Sequence, residues 1–196
     1  MFLKTIVEDV TNEILIKNSR FITKLVPITD KSNIASIIHE LKMLYPKASH
    51  YCYAYIRKND KGCSDDGEPA STAGRPMLNV LEKEKLINVI AIVIRYFGGI
   101  KLGTGGLVRA YSKSILEALS YSNLVELEEG YKVRIIANYD KERELMHLLK
   151  DCEILEKEFT QDIMIVAIIP KTKLNLLTNY HFQKLEENYI KKIHLV

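Results

Sequence analysis

Apolar and polar positions along the chain change period several times. Runs at 2–7, 13–17 and 20–28 are alternating or apolar and predict three strands, the second and third separated by a tight turn at Asn18-Ser19. Ile34, Ile37, Ile38, Leu41 and Leu44 then recur at helical spacing, with Asp30 in the N-cap place and Pro46 as the stop. "SHYCYAYI" (49–56) alternates as a strand does and sets His50 and Cys52 on one face. Residues 59–75 carry no periodic apolar position, so a long loop is expected there. Pro76 suits the first turn of a short helix reaching Leu86, and "INVIAIVIRYF" (87–97) is an unbroken apolar strand of the kind covered on both faces. A further helix follows, with Thr104 as N-cap, Val108, Tyr111, Ile115 and Leu119 on one face, and Arg109 and Lys113 on another.

"YSNLVELEEG" (121–130) turns acidic and ends at Gly130, and the pattern then restarts. The break predicts two domains, 1–129 and 130–196. Beyond it come a strand at 131–139, a helix at 140–152, strands at 153–159 and 162–169, a helix at 171–185 and a strand at 189–196. That order, β-α-β-β-α-β, is the ferredoxin-like split unit, and the fold class is α+β.

Composition narrows this reading a little. Hydrophobic residues make up 47% and charged residues 27% of 196 positions, which is ordinary globular usage and excludes disordered or fibrous classes. A net charge of +3 does not announce nucleic acid by itself, so the placement of the charges has to decide. Cys52, Cys63 and Cys152 form no C-x-x-C pair, which speaks against a disulfide framework or a zinc site and for a reducing compartment. The first residues lack a signal-peptide run and nothing approaches a membrane span, so a cytoplasmic protein without a membrane partner is expected. No cofactor is indicated.

Charge placement singles out "RYFGGIKLGTGGLVRAYSKS" (95–114), with five glycines, four cations and no acid. A strand, a glycine-rich turn and a helix N-terminus together make an anion site, because free amides and the positive end of the helix dipole converge. Arg95, Gly98, Gly99, Lys101, Gly103, Thr104, Gly105, Gly106 and Arg109 are the candidate anion- or RNA-binding residues. Named nucleotide motifs fail: Val108 stands where a dinucleotide fingerprint needs its third glycine, and Thr104 where a P-loop needs lysine. The glycines equally suit a tight crossover against the sheet with no ligand. Asp65, Asp66 and Glu68 form a second constellation around Gly67. Three carboxylates in four residues are able to hold a hard cation, to raise one another's pKa, or to pair with Arg95 and Arg109 as a structural turn. His50 reads as a packed neutral imidazole, and no residue is nominated as catalytic or as a metal ligand.

Four stretches, "SRF" (19–21), "HYCYAY" (50–55), "DDGEPASTAGRPML" (65–78) and "RYFGGIKLGTGGLVRAY" (95–111), together resemble the IMPACT/YigZ family, and the C-terminal β-α-β-β-α-β segment resembles the second domain of its bacterial two-domain members. The motif residues that carry over are Asp65, Asp66, Gly67, Glu68, Pro69, Thr72, Gly74 and Pro76, then Arg95, Gly98, Gly99, Gly103, Thr104, Gly105, Gly106 and Arg109. Ser71 departs from the pattern, standing where many members have glycine. The resemblance implies an N-terminal domain like the second domain of a small-subunit ribosomal protein and a ferredoxin-like C-terminal domain. Eukaryotic members restrain the kinase that senses uncharged tRNA through an extra N-terminal domain, which is not found here, so the resemblance implies a translation-linked role without naming the partner. Two functional readings stand. One is a regulatory binding module without enzymatic activity that meets RNA, the ribosome or a translation-associated protein through the basic glycine loop. The other is a metal-assisted phosphoryl-transfer or hydrolytic enzyme that uses the acidic loop.

Overall fold

The computed structural model describes residues 3–29 and 32–191. It is a mixed α/β chain that divides into two compact units, Leu3–Val125 and the chain from Glu126 on. The first unit opens with β1 (Leu3–Ile6), which exchanges hydrogen bonds through Lys4 with Lys85 and Ile87. Its sheet is built from β2 (Val10–Ile16), β3 (Ser19–Pro27), β4 (His50–Ile56), β5 (Lys61–Ser64) and β6 (Val89–Tyr96), in the order β2-β3-β6-β4-β5 with every pairing antiparallel. The turn from β2 to β3 is made by Lys17 and Asn18, both at positive φ, which is the backbone a two-residue hairpin turn needs.

The central strand β6 is apolar from Val89 to Ile94 because both of its faces are covered there, and it ends on Arg95 and Tyr96. Val89, Ala91 and Val93 join Phe21, Leu25, Cys52 and Ala54 under α2 (Gly74–Lys83) and α3 (Thr104–Ser120). Ile90, Ile92 and Ile94 face the opposite way with Ile22 and Ile28, under α1 (Ile34–Leu44). The Asn33 side chain caps α1 by accepting from the Ser36 amide at 3.3 Å, while Asp30 lies outside the described residues. Only Leu41 of α1 is fully buried, so that helix seals its side of the sheet incompletely.

Several expectations are corrected. The stretch 59–75 is not all loop, since Lys61–Ser64 pairs with β4 as an edge strand too short and polar to show a period. Helix α2 begins at Gly74 and ends at Lys83 rather than Leu86, while Pro76 stands in its first turn as expected. Gly103 rather than Thr104 caps α3, at φ 72°, and α3 buries Leu107, Ala110, Tyr111 and Ile115 while Val108 is 36% exposed.

The strand β7 (Leu124–Ala137) runs unbroken through Gly130, followed by a short 3₁₀ turn, α4 (Glu142–Leu148), β8 (Glu153–Phe159), β9 (Ile163–Pro170), a 3₁₀ segment at Lys171–Leu177 and β10 (His181–Lys191). The strands stand in the order β10-β7-β9-β8, all antiparallel, over a core of Val133, Ile135, Ile163, Ile165, Ala167 and Ile169 closed by Leu145, Leu149 and Leu177. The helix expected at 171–185 is therefore a 3₁₀ segment and the start of a strand. Leu177 anchors the former, and pairing from His181 to Lys191 along β7 takes the latter. Gly130 pairs with both Pro170 and Asn188, and a Cβ there would lie 2.6 Å from the Ile169 carbonyl oxygen. Among the described residues no helix is long and apolar enough to cross a membrane.

Candidate functional site

The glycine loop leaves the end of β6 and enters α3. Gly98 sits where only a bare Cα fits, because a Cβ would lie 2.0 Å from the Asn18 carbonyl carbon. Gly99 and Gly103 take φ of 84° and 72°, the left-handed region that L side chains avoid, with open space around both. The rest of the loop faces outward: Phe97 is 48% and Ile100 46% exposed, and Lys101, Gly103, Thr104, Gly105 and Arg109 are exposed as well. No side chain caps α3 and no acid stands in its first turn. Arg109 instead reaches back toward the helix start, its Nη1 lying 3.7 Å from the place a Gly105 Cβ would occupy. A cation is thus held at the positive end of the helix dipole, an arrangement that favours an incoming anion.

The three acids of the second loop do not converge. Positive φ at Asp66 (40°) and Gly67 (85°) turns successive side chains in different directions. Asp65 faces the start of α2: its Oδ1 accepts from the amides of Ala73 (3.0 Å) and Gly74 (2.8 Å), and its Oδ2 from Ser71 (2.8 Å). Burial acts to raise its pKa, and the three backbone amides outweigh that and hold it below the usual carboxylate value. Asp66 Oδ2 accepts from the Tyr51 amide at 2.6 Å, pinning the loop to the end of β4, while His50 Nδ1 lies 2.9 Å from the Asp66 carbonyl. Ser71 is at φ 60°, so the place where glycine was expected does take the unusual angle, with a serine paying the small cost.

Glu68 points inward. Its Oε1 accepts from Arg95 Nη1 at 2.5 Å and from the Tyr111 hydroxyl at 2.7 Å, and its Oε2 lies 3.9 Å from His50 Nε2. Both members of the ion pair are buried, Arg95 at 5% and Glu68 at 8% exposure. The Arg95 guanidinium lies over the Phe21 and Phe97 rings and donates to Ser19 Oγ at 3.3 Å, leaving its Nε unpartnered. Cys52 sits below, its Sγ 3.0 Å from the Asp65 carbonyl oxygen and 3.3 Å from the Tyr111 hydroxyl. Burial pushes this thiol up to about 12, so it is protonated and inert at neutral pH. Burial likewise raises the Tyr111 phenol, with the neighbouring thiol and Glu68 adding to the effect.

The candidates named from sequence therefore separate. Lys101, Gly103, Thr104, Gly105 and Arg109 gather at the open end of α3, whereas Arg95 is consumed inside by Glu68, and Gly98 and Gly106 shape the backbone. Asp65 and Asp66 are engaged with main-chain amides, and among the described residues no group of three His, Cys, Asp or Glu side chains is placed to hold a metal ion. Sequence reasoning passed over Ser19, which is fully buried and whose Oγ accepts from both Arg95 and the Gly98 amide. Its signal was its place in the "SRF" stretch. Tyr111 stands on the apolar face of its helix as the spacing predicts, and its hydroxyl also ties α3 to the acidic loop.

Comparison with known proteins now bears on the whole arrangement. The family model for the Impact N-terminal domain matches residues 17–119, taking in the hairpin turn, both loops and nearly all of α3. IMPACT family member YvyE of Bacillus subtilis is 36% identical over 181 residues, covering 90% of this chain and 83% of that protein. The human Protein IMPACT is 31% identical over 120 residues, covering 56% of this chain and 37% of its own length. A solved crystal structure of a hypothetical protein superposes with a TM-score of 0.72 at 28% identity, covering 95% of this chain and 98% of that one. With the glycine loop, the acidic loop and the buried pair joining them inside the matched segment, the chain belongs to the IMPACT/YigZ family.

Proposed function

We propose that the protein is a translation-linked regulatory binding module, without enzymatic activity, that meets the phosphates of RNA through its glycine loop. One observation carries this reading: the start of α3 is exposed, uncapped and free of acid, and it holds Lys101 and Arg109 where an anion completes the electrostatics. The link to translation rests on kinship with proteins named IMPACT. The divergence of Asp65, Asp66 and Glu68 favours this reading over metal-assisted chemistry, because those carboxylates already serve the fold. The fold likenesses belong to the same proposal. In the second unit the fourth, first, third and second strands lie side by side, all antiparallel, which supports a ferredoxin-like domain. The first unit is read as the ribosomal-protein-like domain.

The test is binding of a labelled single-stranded RNA by fluorescence anisotropy across a salt series. Lys101→Glu with Arg109→Glu is expected to weaken binding at low salt at least tenfold and to flatten the salt dependence by about two phosphate contacts, with circular dichroism unchanged. Equal affinity of the folded double variant and the parent at low salt overturns the reading.

A further inference from the structure

The face of the first sheet opposite α2 and α3 carries a feature that the glycine loop does not explain. Along β4, Tyr51, Tyr53 and Tyr55 all point to the α1 side, and α1 buries only Leu41 fully. Between helix and strand lies a cleft of about 570 Å³, within the range of small-molecule sites. Its floor is Tyr53, Tyr55 and Arg57; its wall is the side of α1 bearing Ile34, Ile38, His39 and Lys42. No acid lines it.

The three tyrosines are not equivalent. Tyr51 donates its hydroxyl to the Tyr45 carbonyl at 2.6 Å, and Tyr55 donates to Asp60 at 2.9 Å. Tyr53, between them in the cleft, has no hydrogen-bond partner for its hydroxyl among the described residues. Arg57 is gripped at both Nε and Nη2 by Asp60 and lies over the Tyr55 ring, so it acts as a fixed wall and its charge is largely balanced. Lys42 is different. Its side chain is 48% exposed, touches Asp66 only at 4.0 Å, and leans over the Tyr51 ring at 5.2 Å. An aromatic floor with a spare hydroxyl, an apolar wall and a movable cation at the rim form a surface for a flat ring bearing an anion. Stacking uses the ring face, the hydroxyl meets a base edge and the ammonium meets a phosphate.

We propose that this cleft binds one nucleotide unit, a nucleobase stacked on Tyr53 with its phosphate toward Lys42, supplied either as a free nucleoside monophosphate or as an unpaired residue of RNA. The site lies on the other face of the sheet from α2 and α3 and stands independently of the glycine loop.

The experiment is an isothermal and NMR shift titration of the full chain with AMP, UMP, inorganic phosphate and a short oligoadenylate. It uses the Lys101→Glu, Arg109→Glu background, so that the fate of the glycine-loop reading leaves this measurement untouched. Saturable one-to-one binding of AMP or UMP supports the site with a free nucleotide as its source; binding of the oligomer alone supports it with an unpaired RNA residue as its source. Tyr53→Ala is expected to weaken either ligand roughly tenfold or more, the loss of one base stack, while Tyr53→Phe keeps most of the affinity. Lys42→Glu, at an exposed helix position, also weakens binding and serves if Tyr53→Ala does not fold. Inorganic phosphate binding as tightly as AMP, no binding of any nucleotide, or affinity unchanged in folded Tyr53→Ala or in Lys42→Glu overturns the proposal.

Discussion

Helices α2 and α3 begin in the same way and end up with opposite electrostatics. Each starts behind a loop that turns on a glycine at positive φ, each lacks an acid in its own first turn, and both pack on one face of one sheet. At α2 the anion is built in, because Asp65, nine residues before Gly74, turns back to take the first amides. At α3 no side chain caps the first amides, Arg109 lies beside the first turn, and Lys101 is exposed in the loop just before it. The difference teaches that a helix start is structural or recognitive according to whether the chain supplies its own counter-charge. Glu68 and Arg95 sit where the two regions meet, fastening the acidic loop beside the strand that feeds the glycine loop.

The largest expected effect comes from breaking that fastening. Glu68→Ala leaves the Arg95 charge buried and unpaired, and a loss of about 3–5 kcal/mol in urea unfolding is expected. Replacing both partners with methionine should recover much of the loss; a double variant as unstable as the single one would show that the pair does more than balance charge.

Uncapping α2 comes next. Asp65→Ala is expected to cost about 1–2 kcal/mol, since three amides lose their acceptor. The pH dependence has a definite sign. The folded-state pKa of Asp65 is lowered, so the unfolded chain binds the proton more readily. The contribution is whole above the ordinary carboxylate value of about 3.9 and is lost as pH falls through the lowered folded value. Unfolding curves of parent and Asp65→Asn measured downward from pH 6 should therefore approach one another below about pH 4, and a constant gap would contradict the capping role.

The smallest effect is the most telling. Thr104→Glu puts an acid into the first turn of α3 and gives it the counter-charge that Asp65 brings to α2 from outside the helix, so stability should rise by about 0.3–1 kcal/mol while RNA affinity falls. Stability and binding moving in the same direction would mean that the two helix starts are not alternatives of one kind.

The elements were legible where one period ruled them and obscure where tertiary pairing did. The apolar run of β6, the helix α1 from Ile34 to Leu44 and the alternation of β4 stand in the structure as the pattern predicts, although Leu44 at the end of the α1 stripe is exposed. The edge strand β5 was hidden because its four residues bury almost nothing. Residues 181–185 looked helical because Phe182 and Leu185 are three apart, yet the open edge of β7 offered them a ladder of hydrogen bonds. Thr104 and Val108 were misread by one position because the turn into α3 needs a positive φ, which Gly103 supplies and a threonine resists. In the site, the residue types were readable but their directions were not. Whether Asp65, Asp66 and Glu68 converge or diverge is decided by the backbone angles at Asp66 and Gly67, and nothing in an acidic tripeptide states those.

The contact of Gly98 with Asn18 gives the glycine loop a fixed fulcrum. Gly98 presses on the hairpin turn and donates its amide to Ser19 at 3.2 Å, while beyond it Gly99 and Gly103 have empty space around them. The loop is a short lever, clamped at its root by a hairpin some eighty residues earlier and at its far end by Leu102, which packs on the core, with Ile100 and Lys101 exposed between them. Whatever loads the tip bears on the Ser19 hydroxyl, so the Gly98 amide is a hydrogen-exchange gauge that registers an occupant without touching it.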